Sequence, residues 1–276
     1  MKTGFSANAF TRFSLFDAID TISGIGYEGI EIVVDEPHAF LPLTNNEIKR
    51  IHDTLNEKEL SVSNLNANTV VGWYSENKVK EKFEPSLSNM DNKLREWRID
   101  YTKKTIDIAN ELNAPSICVT SGIKNYQRLE TEVDFFKKSL LEILEYAEKS
   151  HVTIGIEYEP GLLVENSESV FELSKDFKNL GLNLDTCHVK VCNEDFSDII
   201  QKFRNKIIHT HISDCKNNEH YHLIPGHGEI DFVNIIKRLT EINYDGYLTA
   251  ELYTYSDIPE EAASETFIFL KNLINN

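Results

Sequence analysis

Eight times along the chain a short β-branched, apolar run gives way to a stretch with helical spacing, and this beat constrains the fold more than any other feature. The first half offers strand candidates at MKTGFSA (1–7), YEGIEIVV (27–34), LSVSNLNA (60–67) and PSICVTSG (115–122). The second half continues with VTIGIEYE (152–159), GLNLDTCH (181–188), KIIHTHIS (206–213) and GYLTAELY (246–253). Between them, residues 97–113 set Ile99, Thr102, Ile106, Ile108 and Leu112 along one stripe, and 133–150 repeat the pattern, so both segments are expected helices. Such alternation over 276 residues predicts an α/β fold in one domain, 1–276: a closed (β/α)8 TIM barrel with its active site at the carboxyl ends of the strands. An open doubly wound sheet would need a Gly-rich phosphate turn after an early strand, and the sequence has none.

Glu157, Asp185, His211 and Glu251 close the last four apolar runs, at intervals of 28, 26 and 40 residues. Each interval is about one strand-plus-helix unit with a longer excursion in the third, so the four are expected to converge as a divalent-metal cage. Three carboxylates, one imidazole and no thiolate favour Mn²⁺ or Mg²⁺, with Co²⁺ and Zn²⁺ also compatible. Glu157 and Glu159, two apart, point the same way, and Pro160-Gly161 behind them marks the strand's end. Asp185 has a second reading as the cap of the next helix. Alternation puts His209 and His211 on one face with Ile208, Thr210 and Ile212 on the other, leaves His209 a structural imidazole, and turns Cys187 toward the helices. Asn64, Asn66 and Asn68 suit a polyol-binding mouth, although turn propensity also explains Asn68. Glu31, ending GIEI, would bond a polar substrate or a metal ligand, or serve packing alone.

Charge narrows the partners. With 45 acidic against 28 basic residues the net charge is −17, which repels a phosphate backbone and anionic membranes, so neither nucleic acid nor a membrane is expected as partner. No strongly cationic cluster falls in the predicted mouth, which favours a neutral small-molecule polyol or keto-sugar over a phosphorylated one. A homo-oligomer is compatible with the sequence. The amino terminus lacks a signal peptide's apolar stretch, and no segment reaches the roughly 18 apolar residues of a membrane span. Cys118, Cys187, Cys192 and Cys215 show no CxxC spacing and read as reduced thiols, so a cytoplasmic protein is expected. Residues 70–96 are too long for an ordinary loop: either a lid, which Trp73 and Tyr74 favour, or a charged surface excursion.

At IEYEPG, LDTCH, HTHISD and HLIPGHGEID together, the chain resembles the xylose isomerase-like superfamily, from GYEGIEI to TAELY. That superfamily includes sugar isomerases and epimerases, inosose and dehydroshikimate dehydratases, and type IV AP endonucleases. The resemblance implies Glu157, Asp185, His211 and Glu251 as metal ligands, with His188 contacting metal or substrate. His222 and His227 would reach substrate, whereas His220 is expected on the surface. AP endonucleases require further histidines where this chain reads SNLNANT and CVTSG, which argues against DNA repair. By resemblance to the epimerases, Glu157 and Glu251 would exchange protons through an enediolate, Glu159 assisting; His188 and His222 would hold hydroxyls or the developing oxyanion, and Asn66 and Glu31, from their place on the strands, would bind substrate. A metal-dependent lyase is the alternative, although the dehydratase histidine two residues after Glu157 is here Glu159. A metal-binding protein without turnover is the third reading.

Overall fold

The computed structural model describes residues 1–69, 71–73 and 83–275. Its eight strands are β1 (Lys2–Ser6), β2 (Gly29–Val33), β3 (Ser61–Asn66), β4 (Ser116–Val119), β5 (Thr153–Ile156), β6 (Leu180–Asp185), β7 (Ile207–Ile212) and β8 (Tyr247–Ala250). They pair in parallel in chain order, and β8 returns to β1 to close the barrel. Seven strands fall within runs read from the sequence and β6 starts one residue before its run, at Leu180, because each run supplies both an apolar set for the helix layer and the residues that fill the barrel.

The helix layer starts where the sequence provides caps. Ser14 with Asp17, and Thr44 with Glu47, form reciprocal capping boxes at the helices Leu15–Ile25 and Asn45–Glu57. Asp91 caps the helix Asn92–Glu111, which begins five residues before the expected 97. The expected long loop is shortened accordingly: 92–96 are helical, as are 71–73, while Val70 and 74–82, Tyr74 among them, lie outside the described residues. Trp73 packs on Trp97, and Trp97 stacks on Tyr101 with ring centroids 5.0 Å apart. No helix among the described residues is long and apolar enough to cross a membrane.

Two register shifts break the simple alternation, one between Ile30 and Glu31 against β3, the other between Leu182 and Asn183 against β7. The second corrects the placement of Ile208. Its side chain fills the space in front of Gly155 and Gly181, where a Cβ would come within 2.8 and 2.4 Å of it. Gly155 and Glu157 share a face by period two, so Ile208 plugs the barrel on the same side as His209 and His211.

Candidate metal centre and mouth

Ligand atoms of Glu157, Asp185, His211 and Glu251 all lie within 4.8 Å of one another. All four side chains are buried. His211 Nδ1 is 2.8 Å from Glu157 Oε1 and 3.5 Å from Glu251 Oε2. Asp185 combines its two readings: Oδ1 accepts the His188 N–H at 2.8 Å, capping the helix Thr186–Val191, while Oδ2 is buried without a hydrogen-bond partner among the described residues. Leaving such an oxygen unpaired costs about 1–3 kcal/mol, more when charged, and a cation removes that cost. The donor set and the orphaned oxygen fit a hard divalent ion.

The electrostatics agree. Burial opposes ionisation of Glu157 and Asp185, but the imidazoles beside them, His211 for Glu157 and His188 with His222 for Asp185, outweigh it and hold both carboxyls below their usual range. Glu251 goes the other way: burial, reinforced by the Glu157, Asp185 and Glu31 carboxylates, pushes it well above the usual range. Burial would strip the His211 proton, yet Glu251, Glu31 and Glu157 overcome that and hold its pKa well above the ordinary value. A proton on Glu251 or His211 relieves part of the repulsion among the carboxylates, which, with the burial of Glu251, is why both groups hold theirs more tightly than usual.

Beneath these four lies a polar layer. Asn68 donates to Glu157 Oε2, and Asn66 donates to Glu251 Oε1 at 3.3 Å and to Glu31 Oε1 at 3.4 Å. Asn64 is deeper, between Glu31 and the Ser116 hydroxyl. The polar alternation expected of a polyol mouth thus serves mainly to orient carboxylates. Glu31 and Asn66, expected at the substrate, are committed to protein partners, and Glu31 is 0% exposed. His209 sits beside it, its Nε2 3.5 Å from Glu31 Oε2. Buried Arg98 donates to the carbonyls of Ala67 and Asn68, bracing the end of β3.

His188 and His222 line the opening, both buried, with His188 Nδ1 3.9 Å from Glu157 Oε1 and His222 Nε2 4.0 Å from Asp185 Oδ2. His220, expected on the surface, instead joins them: its Nε2 is 2.9 Å from His188 Nε2 and its Nδ1 is 3.9 Å from Glu159 Oε1. The reversal follows from the loop 215–230, which folds back over the barrel. His227 goes outward and pairs with Glu265 on the surface, away from the expected substrate. Cys187 does not face the helix layer as strand alternation implied, because residue 186 begins a helix; its thiol contacts Cys215 and lies within 4.8 Å of ligand atoms of His220 and His222.

What folds that loop back is Asp214, a residue the sequence reading missed. Its carboxylate accepts four backbone N–H groups, from Cys215, Gly226, Gly228 and Ile230, at 2.8–3.0 Å. Gly228 is required for this approach, since a Cβ there would stand 2.3 Å from Asp214 Oδ1. An Asp ending a strand ahead of a Pro- and Gly-containing loop was the available signal. Asp214→Ala should destabilise the protein by about 2–4 kcal/mol and speed hydrogen exchange at Gly228 and Ile230. Chemical denaturation and exchange mass spectrometry check this, and wild-type exchange in the loop would contradict it.

Residues 19–273 match the family of xylose isomerase-like TIM barrels. The chain belongs to that family. Within it, the chain is 26% identical over 261 residues to the fructoselysine 3-epimerase of Shigella flexneri, covering 92% of this chain and 91% of that one. A D-tagatose 3-epimerase-like protein of known structure superposes with a TM-score of 0.83 at 25% identity, covering 100% of this chain and 97% of the other. An inosose dehydratase of Clostridium perfringens is 27% identical over 110 residues, about a third of each chain at 33% and 37%. As a xylose isomerase-like barrel, the protein carries its clustered carboxylates and imidazoles at the strand ends where barrels of this kind place their chemistry.

Proposed function

We propose that the protein is a divalent-metal-dependent epimerase of a keto-sugar or related polyol, inverting the carbon beside a carbonyl through an enediolate. One observation carries this reading: Glu157 and Glu251, from strands β5 and β8, converge on the same imidazole, at 2.8 and 3.5 Å from His211 Nδ1. Inversion requires a proton to leave one face of the substrate and return on the other, and two carboxyls on separate strands supply both faces. The epimerases among the relatives support the same class.

Glu157, Asp185, His211 and Glu251 would hold Mn²⁺ or Mg²⁺, which supplies Lewis-acid stabilisation of the negative charge that develops on the substrate oxygens. The remaining work belongs to the side chains. Asn68 anchors Oε2 of Glu157 and Asn66 anchors Oε1 of Glu251, so each carboxyl meets the substrate in one orientation. His188 and His222 hold hydroxyls, each having one buried ring nitrogen without a hydrogen-bond partner among the described residues. Glu159, half-buried beside His220, assists at the rim.

The lyase reading is the weaker alternative, since the acid that would protonate a leaving hydroxyl would have to be Glu159, in place of the histidine that dehydratases carry two residues beyond the fifth-strand Glu. The fate of the substrate's proton separates the two. Incubation of ketose and cyclitol panels with Mn²⁺ in deuterated water should incorporate deuterium at one carbon and yield the epimer. An ultraviolet-absorbing enone without epimer would instead establish dehydration, and no reaction across the panel would leave a metal-binding protein.

A further inference from the structure

Glu31, on β2, reaches across the barrel interior to β7, and the groups that meet it are hydrogen-bond donors. Ser6 Oγ donates to Oε1 at 2.7 Å and Asn64 Nδ2 to Oε2 at 2.8 Å. Asn66 Nδ2 adds a longer bond to Oε1 at 3.4 Å, and His211 Nε2 lies 2.7 Å from Oε2. Hydroxyl, amides and ring N–H from strands β1, β3 and β7 therefore converge on two oxygens, a load that only a carboxylate can accept in full. With Nε2 committed downward to Glu31, the other ring nitrogen, Nδ1, faces up into the cluster of Glu157, Asp185 and Glu251.

We propose that Glu31 is the positioning residue of the metal centre: by accepting the Nε2–H of His211 it fixes the ring so that Nδ1 is the atom presented to the ion. The inference rests on the metal reading of the preceding section. Glu31 touches neither ion nor substrate, and it acts only through His211. A carboxylate in this place also makes the imidazole a stronger donor, and loss of such a partner typically weakens metal binding about 10–100-fold. Asn64 serves the same end one step removed, because it holds the oxygen that receives His211.

The decisive variant is Glu31→Gln, which keeps the shape but turns an N–H₂ toward at least one donor. Mn²⁺ affinity, read from the free-ion electron paramagnetic resonance signal, should fall about 10–100-fold while the circular dichroism spectrum stays native. In the Mg²⁺-loaded protein, ¹⁵N spectra of the histidines should show His211 protonated on Nε2 in the wild type and a mixture of ring states in the variant, a signature that a merely structural role would not move. Asn64→Ala, with Glu31 intact, should give a smaller loss in the same direction. A folded Glu31→Gln protein with wild-type Mn²⁺ affinity and an unchanged His211 spectrum overturns the proposal. Should that variant not fold, unchanged affinity and spectrum in Asn64→Ala overturn it instead. A wild-type protein that binds no Mn²⁺ would sink the metal reading itself, and this inference with it.

Discussion

Replacing Asp185 with alanine should empty the metal centre and leave the barrel standing. Asp185 is buried, and its Oδ2 is a buried carboxylate oxygen without a hydrogen-bond partner among the described residues. Losing the Oδ1 cap on the helix Thr186–Val191 costs about 1 kcal/mol, against a typical stability of about 5–15 kcal/mol. Elemental analysis should find about one divalent ion per wild-type chain and little in Asp185→Ala or His211→Ala. Full occupancy in both variants would refute the site.

Acidity must act on the same equilibrium. In the metal-free protein the pKa values of Glu251, raised by burial and the carboxylates around it, and of His211, raised against burial by its carboxylate neighbours, both lie well above the ordinary ones, and an ion must displace any proton these groups carry. Affinity should therefore rise with pH, by about tenfold per unit for each proton released, until both groups have lost theirs. A pH-independent affinity would mean that these two residues are not ligands.

Glu251→Gln should keep most of the metal and lose most of the activity. Glutamine retains one oxygen for the ion, at the expense of the bond that Asn66 donates to Oε1, and cannot carry the proton, and loss of a positioned general base typically costs about 10²–10⁴-fold. The two-carboxyl arrangement makes a sharper demand. On the proposed reading Glu157 and Glu251 would serve opposite faces, so each Gln variant should still exchange solvent deuterium into one epimer, by the glutamate that remains, while converting neither to the other. Glu157→Gln and Glu251→Gln should then show opposite substrate preferences in exchange. A near-wild-type rate in Glu251→Gln with metal bound would move the proton chemistry to Glu159 or His188.

Much of this molecule is written locally. The eight strands coincide with runs read from period and composition to within one residue, because a barrel strand must satisfy a helix layer on one side and the barrel interior on the other. Glu157, Asp185, His211 and Glu251 were legible for a related reason: in parallel order, every strand end opens at the same mouth, so four chemistry-bearing residues at four strand ends must meet. Capping, too, is local, and Asp185 announced its cap in LDTCH.

Contacts between distant strands were not legible. Nothing in GIEI reveals that Glu31 will spend its oxygens on Ser6, Asn64 and His211, partners as far as 180 residues away, in place of a substrate. Nor does HYH reveal that His220 turns inward, since Asp214 decides it by gathering four N–H groups of a loop whose path has no periodicity. The register shifts at Glu31 and Asn183 set which residues share a face beyond them, and a one-residue slip of this kind leaves no mark on composition. The sequence by itself determined the barrel and the four residues at its mouth, because period and strand order are properties of neighbours along the chain. The tertiary structure decided which polar groups support those residues and which face the opening, because buried donors and acceptors must pair across the barrel with whatever the closed sheet brings within reach.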